Sequence, residues 1–133
     1  MGVYFDLGRP VVGGWLGGGW VLHDPIRDLD LLWGAELGQE GAWLFAIDVD
    51  SGQIVEEHPI GCREFNATPE HATGKLWVAT NHGLYQPGHL LLSWDPQTRA
   101  LTSHGFPPVS DQRFAGTPFI ASDGRVYLGS HPH

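Results

Sequence analysis

The chain contains the stretch Phe45-Ala46-Ile47-Asp48-Val49-Asp50-Ser51-Gly52-Gln53-Ile54, and 47 residues later a second version of it, Leu92-Ser93-Trp94-Asp95-Pro96-Gln97-Thr98-Arg99-Ala100-Leu101. Each version is a short apolar run, then a turn that begins with Asp and carries Ser or Thr three residues on, then a second run. Short apolar runs divided by such turns are the pattern of strands joined by hairpins. The repeat predicts a strand-rich chain built from equivalent units.

A second segment, upstream of the first, occurs three times. It is Leu31-Leu32-Trp33-Gly34-Ala35-Glu36, then Leu76-Trp77-Val78-Ala79-Thr80-Asn81, then Val126-Tyr127-Leu128-Gly129-Ser130-His131. A strand-rich period of about 40–50 residues is typical of the four-stranded blades of a β-propeller. We therefore expect an all-β fold, a propeller portion with about two and a half to three blades.

The spacing of the copies gives a predicted division of the chain. We expect a strand and a Gly-rich linker in 1–17, blades in 18–61 and 62–110, and a half blade in 111–133. Closed propellers hold 4–8 blades. We therefore predict that the ring is completed by self-association, most simply as a homodimer of about six blades, or by further parts of a longer chain.

Composition limits the classes of partner. The 133 residues carry a formal charge of −8, which opposes nucleic-acid binding because a phosphate backbone is also anionic. The single cysteine, Cys62, leaves no internal disulfide and no cysteine-based zinc site. No apolar run is long enough for a membrane span, and no signal peptide is evident. We expect a soluble protein with no membrane or nucleic-acid partner, cytoplasmic rather than secreted.

Two recurring features are interpreted as structural. Asp48 and Asp95 open equivalent turns, where an Asp side chain accepts hydrogen bonds from the amides ahead of it, so we expect turn formers rather than catalysts. An aromatic residue recurs as Trp20, Phe65 and Phe114. We expect these three side chains to fill the space between neighbouring blades.

The unit of strand, Asp-x-x-Ser/Thr-Gly and strand, together with Asp6-Leu7-Gly8-Arg9-Pro10, resembles the virginiamycin B (streptogramin) lyase-like propellers. The segment Leu44-Phe45-Ala46-Ile47-Asp48-Val49-Asp50-Ser51-Gly52 is also similar to quinoprotein-type repeats. The resemblance implies a propeller and, in the lyase-like class, a metal-assisted elimination. Its motifs are scaffold elements, and fold alone does not give function in this architecture.

The segment that occurs three times is predicted to form the second strand of each blade. The residues at the ends of its three copies differ: Glu36, Asn81 and His131. His131 and His133 can point to one side of an extended chain and, with His82 and Glu36, would form a divalent metal site for Zn, Mn or Fe. Eight histidines in the chain also give such a pair by chance.

Further candidates lie in the loops that precede the first, innermost strand of each predicted blade. Arg63 and Arg113 can hold a carboxylate by paired hydrogen bonds, or can pair with neighbouring acidic residues. As catalysts they would stabilise an enolate-like intermediate while His82 or His131 transfers the proton. Trp15, beside glycines, is a candidate ligand-binding residue together with Asn81. The leading hypothesis is a scaffold that binds a small molecule, glycan or protein at its axial face, and the alternative is a metal-assisted lyase or hydrolase.

Overall fold

The computed structural model describes residues 15–37, 42–60, 62–83, 90–105 and 112–132. At 15–18, 36–37, 62–65, 81–83, 112–115 and 131–132 the description is of the backbone alone. Within the described residues the chain forms β1 (Trp15–Asp24), β2 (Leu29–Leu37), β3 (Trp43–Asp48), β4 (Ile54–Pro59), β5 (Cys62–Glu70), β6 (Lys75–Gly83), β7 (Leu91–Asp95), β8 (Ala100–Gly105), β9 (Gln112–Ile120) and β10 (Val126–Pro132). None of the described residues belongs to a helix long and apolar enough to cross a membrane.

The strands form three antiparallel sheets that follow the chain. The first sheet has the order β1-β2-β3-β4, the second β5-β6-β7-β8, and the third contains β9 and β10. The all-β class and the four-stranded unit expected from the repeat are confirmed, and the stacked open sheets have the arrangement of a partial propeller. The division of the chain at 17, 61 and 110 stays a prediction.

The hairpin turns are closed by aspartate side chains. In the β3–β4 turn the Asp48 carboxylate accepts the amide of Asp50 at 3.1 Å and the hydroxyl of Ser51 at 2.5 Å. In the β7–β8 turn Asp95 accepts the amide of Gln97 at 2.9 Å. The interpretation of Asp48 and Asp95 as turn formers is confirmed.

The same contacts shift the acidity of both carboxyls. The Ser51 hydroxyl, and after it the Asp50 amide, lower the pKa of Asp48. Burial raises the pKa of Asp95, but the Gln97 amide and the Lys75 ammonium, 3.2 Å away, outweigh it and hold that pKa below its usual value. The charged form of Asp48 is therefore stabilised by its own turn, and that of Asp95 by its own turn together with Lys75 of β6.

The strand register corrects the alignment of the second strands by one residue. Trp33 lies opposite the residue two positions before Asp48, and Trp77 lies opposite the residue two positions before Asp95. Trp33 and Trp77 are therefore equivalent, whereas the sequence alignment placed Trp33 beside Val78. Because side chains alternate between the two faces of a strand, the one-residue shift exchanges the faces. Both faces are apolar here, so the hydrophobic pattern did not distinguish the two alignments.

The expected aromatic series is also corrected. Trp20 pairs with Trp33, whereas Phe65 and Phe114 pair with residues three positions further along their second strands. Leu16, opposite Glu36, holds the position in β1 that is equivalent to the two phenylalanines. An irregularity between Gly17 and Trp20 puts one extra residue into β1, which displaces the tryptophan along the strand.

The core lies between the first and second sheets. The ring of Trp33 lies 5.6 Å from that of Trp94, and His58 lies 4.4 Å from Trp94, measured between ring centroids. Leu31 and Leu44 of the first sheet and Leu76 of the second are fully buried in the same layer. Each buried leucine contributes about 1.5–3 kcal/mol by leaving water. The faces that meet here are thus joined by aromatic and aliphatic packing.

A cluster of ion pairs lies between the outer parts of the first and second sheets. Glu56 of β4 binds Arg27 of its own sheet, with an N–O distance of 3.0 Å, and Arg99 of the second sheet. Asp24 lies 3.9 Å from Arg27 and 3.7 Å from Arg99, and the side chains of Asp24 and Glu56 are largely buried. Arg99 adopts a positive φ of 55°, where glycine is favoured, so its ion pairs offset a backbone cost.

Candidate functional site

The predicted site residues lie at one end of the three sheets. The first two strands of each sheet form an antiparallel hairpin, so the first strand begins where the second strand ends. The starts of β1, β5 and β9 therefore lie beside the ends of β2, β6 and β10. This end of the sheets, called the entry end below, carries seven of the predicted site residues, namely Trp15, Glu36, Arg63, Asn81, His82, Arg113 and His131. His133 lies outside the described residues.

One register position at the entry end holds four of these residues. It is occupied by the pairs Trp15–Leu37, Glu64–Asn81 and Arg113–His131, one pair in each sheet. Residues directly opposite in an antiparallel ladder have Cα atoms about 4.5–5.5 Å apart. The fold therefore brings the backbones of Arg113 and His131 together, although Arg113 lies near the start of β9 and His131 near the end of β10.

Arg63 and His82 are placed together by the neighbouring pairs. Cys62 pairs with Gly83 and Glu64 pairs with Asn81, so Arg63 and His82 lie between the same two rungs of the ladder. The second sheet thus has an Arg and a His on adjacent strands. They lie one residue closer to the entry end of the hairpin than Arg113 and His131 do in the third sheet. The two Arg/His sets occur at the same end of neighbouring sheets.

Glu36 does not hold the position that the sequence alignment gave it. With Trp33, Trp77 and Tyr127 in register, the residue equivalent to Asn81 and His131 is Leu37, which pairs with Trp15. Glu36 lies one position earlier, opposite Leu16 and Trp43. The set of differing residues at the strand ends is therefore Leu37, Asn81 and His131.

The metal-site hypothesis concerns His82, His131, His133 and Glu36. Among the residues that the structure describes, no three His, Cys, Asp or Glu side chains are grouped closely enough to hold a metal ion. Of the four proposed ligands, three are described by backbone alone and His133 lies outside the described residues. The divalent metal site stays a prediction.

A cleft of about 390 Å³ lies at the opposite end of the sheets. It is formed between the β5–β6 turn and the β9–β10 turn, and its lining consists of Pro69, Glu70, His71, Ala72, Ile120, Ala121, Ser122 and Gly124. Glu70 accepts the indole N–H of Trp77 at 3.1 Å. This cleft could not be predicted from sequence, because it depends on how the second and third sheets meet.

The interaction of the second and third sheets includes one strong hydrogen bond. The hydroxyl of Thr68 in β5 donates to the carbonyl oxygen of Pro118 in β9 at 2.6 Å. On the same face of the second sheet, the ring of Trp77 lies 4.9 Å from that of His104, whose Nε2 is 2.8 Å from the hydroxyl of Ser93. His104 therefore packs and hydrogen-bonds within the second sheet.

Comparison with known proteins identified no relationship. No family model, no curated protein and no solved structure matches this chain. The resemblance of the repeat to the streptogramin lyase-like and quinoprotein-type propellers therefore stays a prediction that rests on its motifs.

Proposed function

We propose that the chain is a binding scaffold whose entry end holds a small molecule or glycan that carries a carboxylate. The observation that carries the proposal is the pairing of Arg113 with His131 at this end of the third sheet. A guanidinium matches a carboxylate through two parallel hydrogen bonds, and an imidazole beside it adds a donor or an acceptor. Arg63 and His82 repeat the combination in the second sheet.

The distribution of the other basic residues supports this choice. Arg27, Lys75, Arg99 and Arg125 each form an ion pair with a carboxylate of the chain. These four of the seven Lys and Arg residues neutralise the protein's own acidic groups. Of the Lys and Arg residues that the structure describes, Arg63 and Arg113 lie at the entry end of the sheets, which is where an anionic ligand would be attracted against the overall charge of −8.

The variation of the repeat supports the same end of the molecule. The register position with Trp15–Leu37, Glu64–Asn81 and Arg113–His131 combines an apolar pair, an acid and amide pair, and a basic pair. Scaffold positions of a repeat keep one residue type, as Trp33 and Trp77 do. A ligand that spans neighbouring blades would contact chemically different groups at the entry end.

The cleft at the opposite end is less suited to an anionic ligand. Glu70 and His71 are its titratable lining residues, and the Glu70 carboxylate already accepts the Trp77 indole. No lysine or arginine is among the residues that line it. An acidic ligand would therefore meet a carboxylate there with no guanidinium to compensate.

The binding proposal is tested with matched ligands and matched variants. Galacturonate and short galacturonate oligomers are compared with galactose and the methyl esters, by calorimetry on the purified protein. We expect the free acids to bind and the esters not to bind. Arg113→Ala should weaken binding about tenfold or more, because a charge-assisted hydrogen bond is worth about 1.5–3 kcal/mol. Arg125→Ala, which removes a surface ion pair, is the control.

Equal binding of acid and ester, or an affinity that Arg113→Ala leaves unchanged, would contradict the proposal. If no carboxylate probe from this panel or from small dicarboxylates binds, the entry end is not an acidic-ligand site.

The alternative function is a metal-assisted lyase or hydrolase. The juxtaposition of Arg113 and His131 also suits that chemistry, since an elimination next to a carboxylate needs a cation at the developing oxyanion and a base nearby. Metal analysis separates the two hypotheses. A stoichiometric divalent ion that is lost on His131→Ala would favour the enzyme, and ligand binding by metal-free protein would favour the scaffold.

A further inference from the structure

The same aromatic position is buried in the first sheet and exposed in the third. Trp33 is 3% exposed and packs on Trp94 of the second sheet. Tyr127, at the equivalent position of the third sheet, is 52% exposed, and Phe119, which pairs with it, is 66% exposed. Paired residues share a face of the sheet. Phe119 and Tyr127 therefore form an apolar surface on the third sheet, called the tail face below. The equivalent surface of the first sheet is the one that contacts the second sheet.

The surface that receives Trp33 is a row of paired residues in the second sheet. The row contains Pro69, Leu76, Trp94 and Leu101. The first sheet has an equivalent row, called the head face below, with Val21, Leu32, Ile47 and Ile54 in the same pairings. Val21 in this row is 55% exposed and Leu32 is partly exposed, whereas Ile47 is already buried at 2%. The tail face is therefore open on the third sheet, and the part of the head face formed by Val21 and Leu32 is open on the first sheet.

We propose that the tail face of one copy packs on the head face of a second copy. Tyr127 and Phe119 would then contact Val21 and Leu32 of the other protomer, as Trp33 and Trp20 meet the Trp94 row inside one chain. The chain already forms such an interface between its first and second sheets, where Trp33 packs on Trp94. The two faces differ, so the contact is head to tail; two such contacts close a dimer if the rotation permits, and otherwise the copies continue as a filament.

The charge of the protein predicts how salt acts on this contact. Each copy carries −8, whereas the two faces are formed by uncharged side chains. Repulsion between copies is screened at higher ionic strength, since the Debye length falls from about 10 Å at 0.1 M to about 3 Å at 1 M. Self-association should therefore strengthen with salt, the opposite of an assembly held by ion pairs.

Single charges placed on the two faces test the geometry. Val21→Lys blocks the head face, and Phe119→Lys blocks the tail face. Val49→Lys is the matched control, because Val49 is an exposed valine in the β3–β4 turn and belongs to neither face. We expect Val21→Lys and Phe119→Lys each to weaken self-association about tenfold or more by sedimentation, because a charge would replace a buried apolar side chain. Val49→Lys should associate like the wild type.

A mixture of the two face variants gives the decisive outcome. Val21→Lys keeps a free tail face and Phe119→Lys keeps a free head face, so an equimolar mixture should form a 1:1 heterodimer although each variant alone is monomeric. Circular dichroism and thermal unfolding establish that each variant is folded, and Tyr127→Lys replaces Phe119→Lys if the latter is not. The proposal is overturned if the wild type is monomeric, if the mixture stays monomeric, or if only one of the two faces affects association.

Discussion

The guanidinium of Arg99, in the β7–β8 turn, donates to the carboxylate of Glu56 on β4 of the neighbouring sheet. Arg99 holds a positive φ in this turn, where the equivalent turn of the first sheet has Gly52. The arginine therefore bears a local backbone cost and joins two sheets by binding Glu56 and Asp24. This contact explains why a residue that is unfavourable for its own hairpin is compatible with the stack.

Arg99→Ala should lower the free energy of unfolding by about 1–3 kcal/mol, because it leaves two largely buried carboxylates with Arg27, and for Glu56 also the imidazole of His58, as their remaining partners. Arg99→Gly should cost less than Arg99→Ala, since glycine adopts a positive φ freely. Urea unfolding measures both. Arg125→Ala, at an exposed ion pair with Asp123, should change stability by less than about 0.5 kcal/mol. Equal losses for Arg99→Ala and Arg125→Ala would refute the structural role of the cluster.

Acid should destabilise the hairpin turns. The pKa values of Asp48 and Asp95 are lowered in the folded protein, so their contribution is complete above the ordinary aspartate pKa of about 3.9 and is lost as the pH falls through the lower folded values. The melting temperature of the wild type should therefore fall below about pH 4. Asp48→Asn should make the melting temperature less dependent on pH in this range. Asp50→Asn should not, because it keeps the hydrogen bond from the backbone N–H of residue 50 to the Asp48 carboxylate. A fall of the same steepness in Asp48→Asn would contradict the assignment.

Gly34 is required for packing on the outer face of the first sheet. A Cβ at this position would lie 2.6 Å from the Phe45 ring. Gly34→Ala should therefore cost about 1–3 kcal/mol, as overpacking of a core typically does. Gly19→Ala is the control, because its Cβ would meet Leu32 at an ordinary 3.7 Å. Thermal unfolding distinguishes the two, and a neutral Gly34→Ala would mean that Phe45 does not lie over Gly34.

The third sheet is held to the second by the hydroxyl of Thr68. Thr68→Val removes its hydrogen bond to the Pro118 carbonyl and should cost about 0.5–1.5 kcal/mol. The loss should be local, with faster hydrogen exchange in β9 and β10 and little change in the first sheet. Thr102→Val, at an exposed site of β8, is the matched control. Unchanged exchange in β9 would contradict this attachment.

Much of the fold could be predicted from the sequence. The turns at Asp48 and Asp95, each between two strands, were expected from their Asp-x-x-Ser/Thr pattern, because turn chemistry is local. The alignment of second strands failed by one residue, since the chain is apolar on both faces and periodicity cannot set the register of such a strand. The pairing of Trp33 and Trp77 with the third strands was needed to correct it.

The sequence indicated that several candidate residues lie at strand ends, but not which of them pair across the hairpins. Strand ends identified the region of Asn81 and His131, yet the pairing of Arg113 with His131 depends on a register that spans the whole hairpin. The ion cluster of Arg99 and Glu56 was missed because its members come from two sheets and share no sequence motif. Contacts between sheets leave no local pattern in a single chain.

Sedimentation of the wild-type protein tests the head-to-tail assembly most directly. One chain has a mass of 14.6 kDa. Between about 1 and 100 µM at moderate salt, the weight-average mass should rise toward twice that value or higher multiples, and should rise further with added salt. A folded species of 14.6 kDa at every concentration and ionic strength would contradict it.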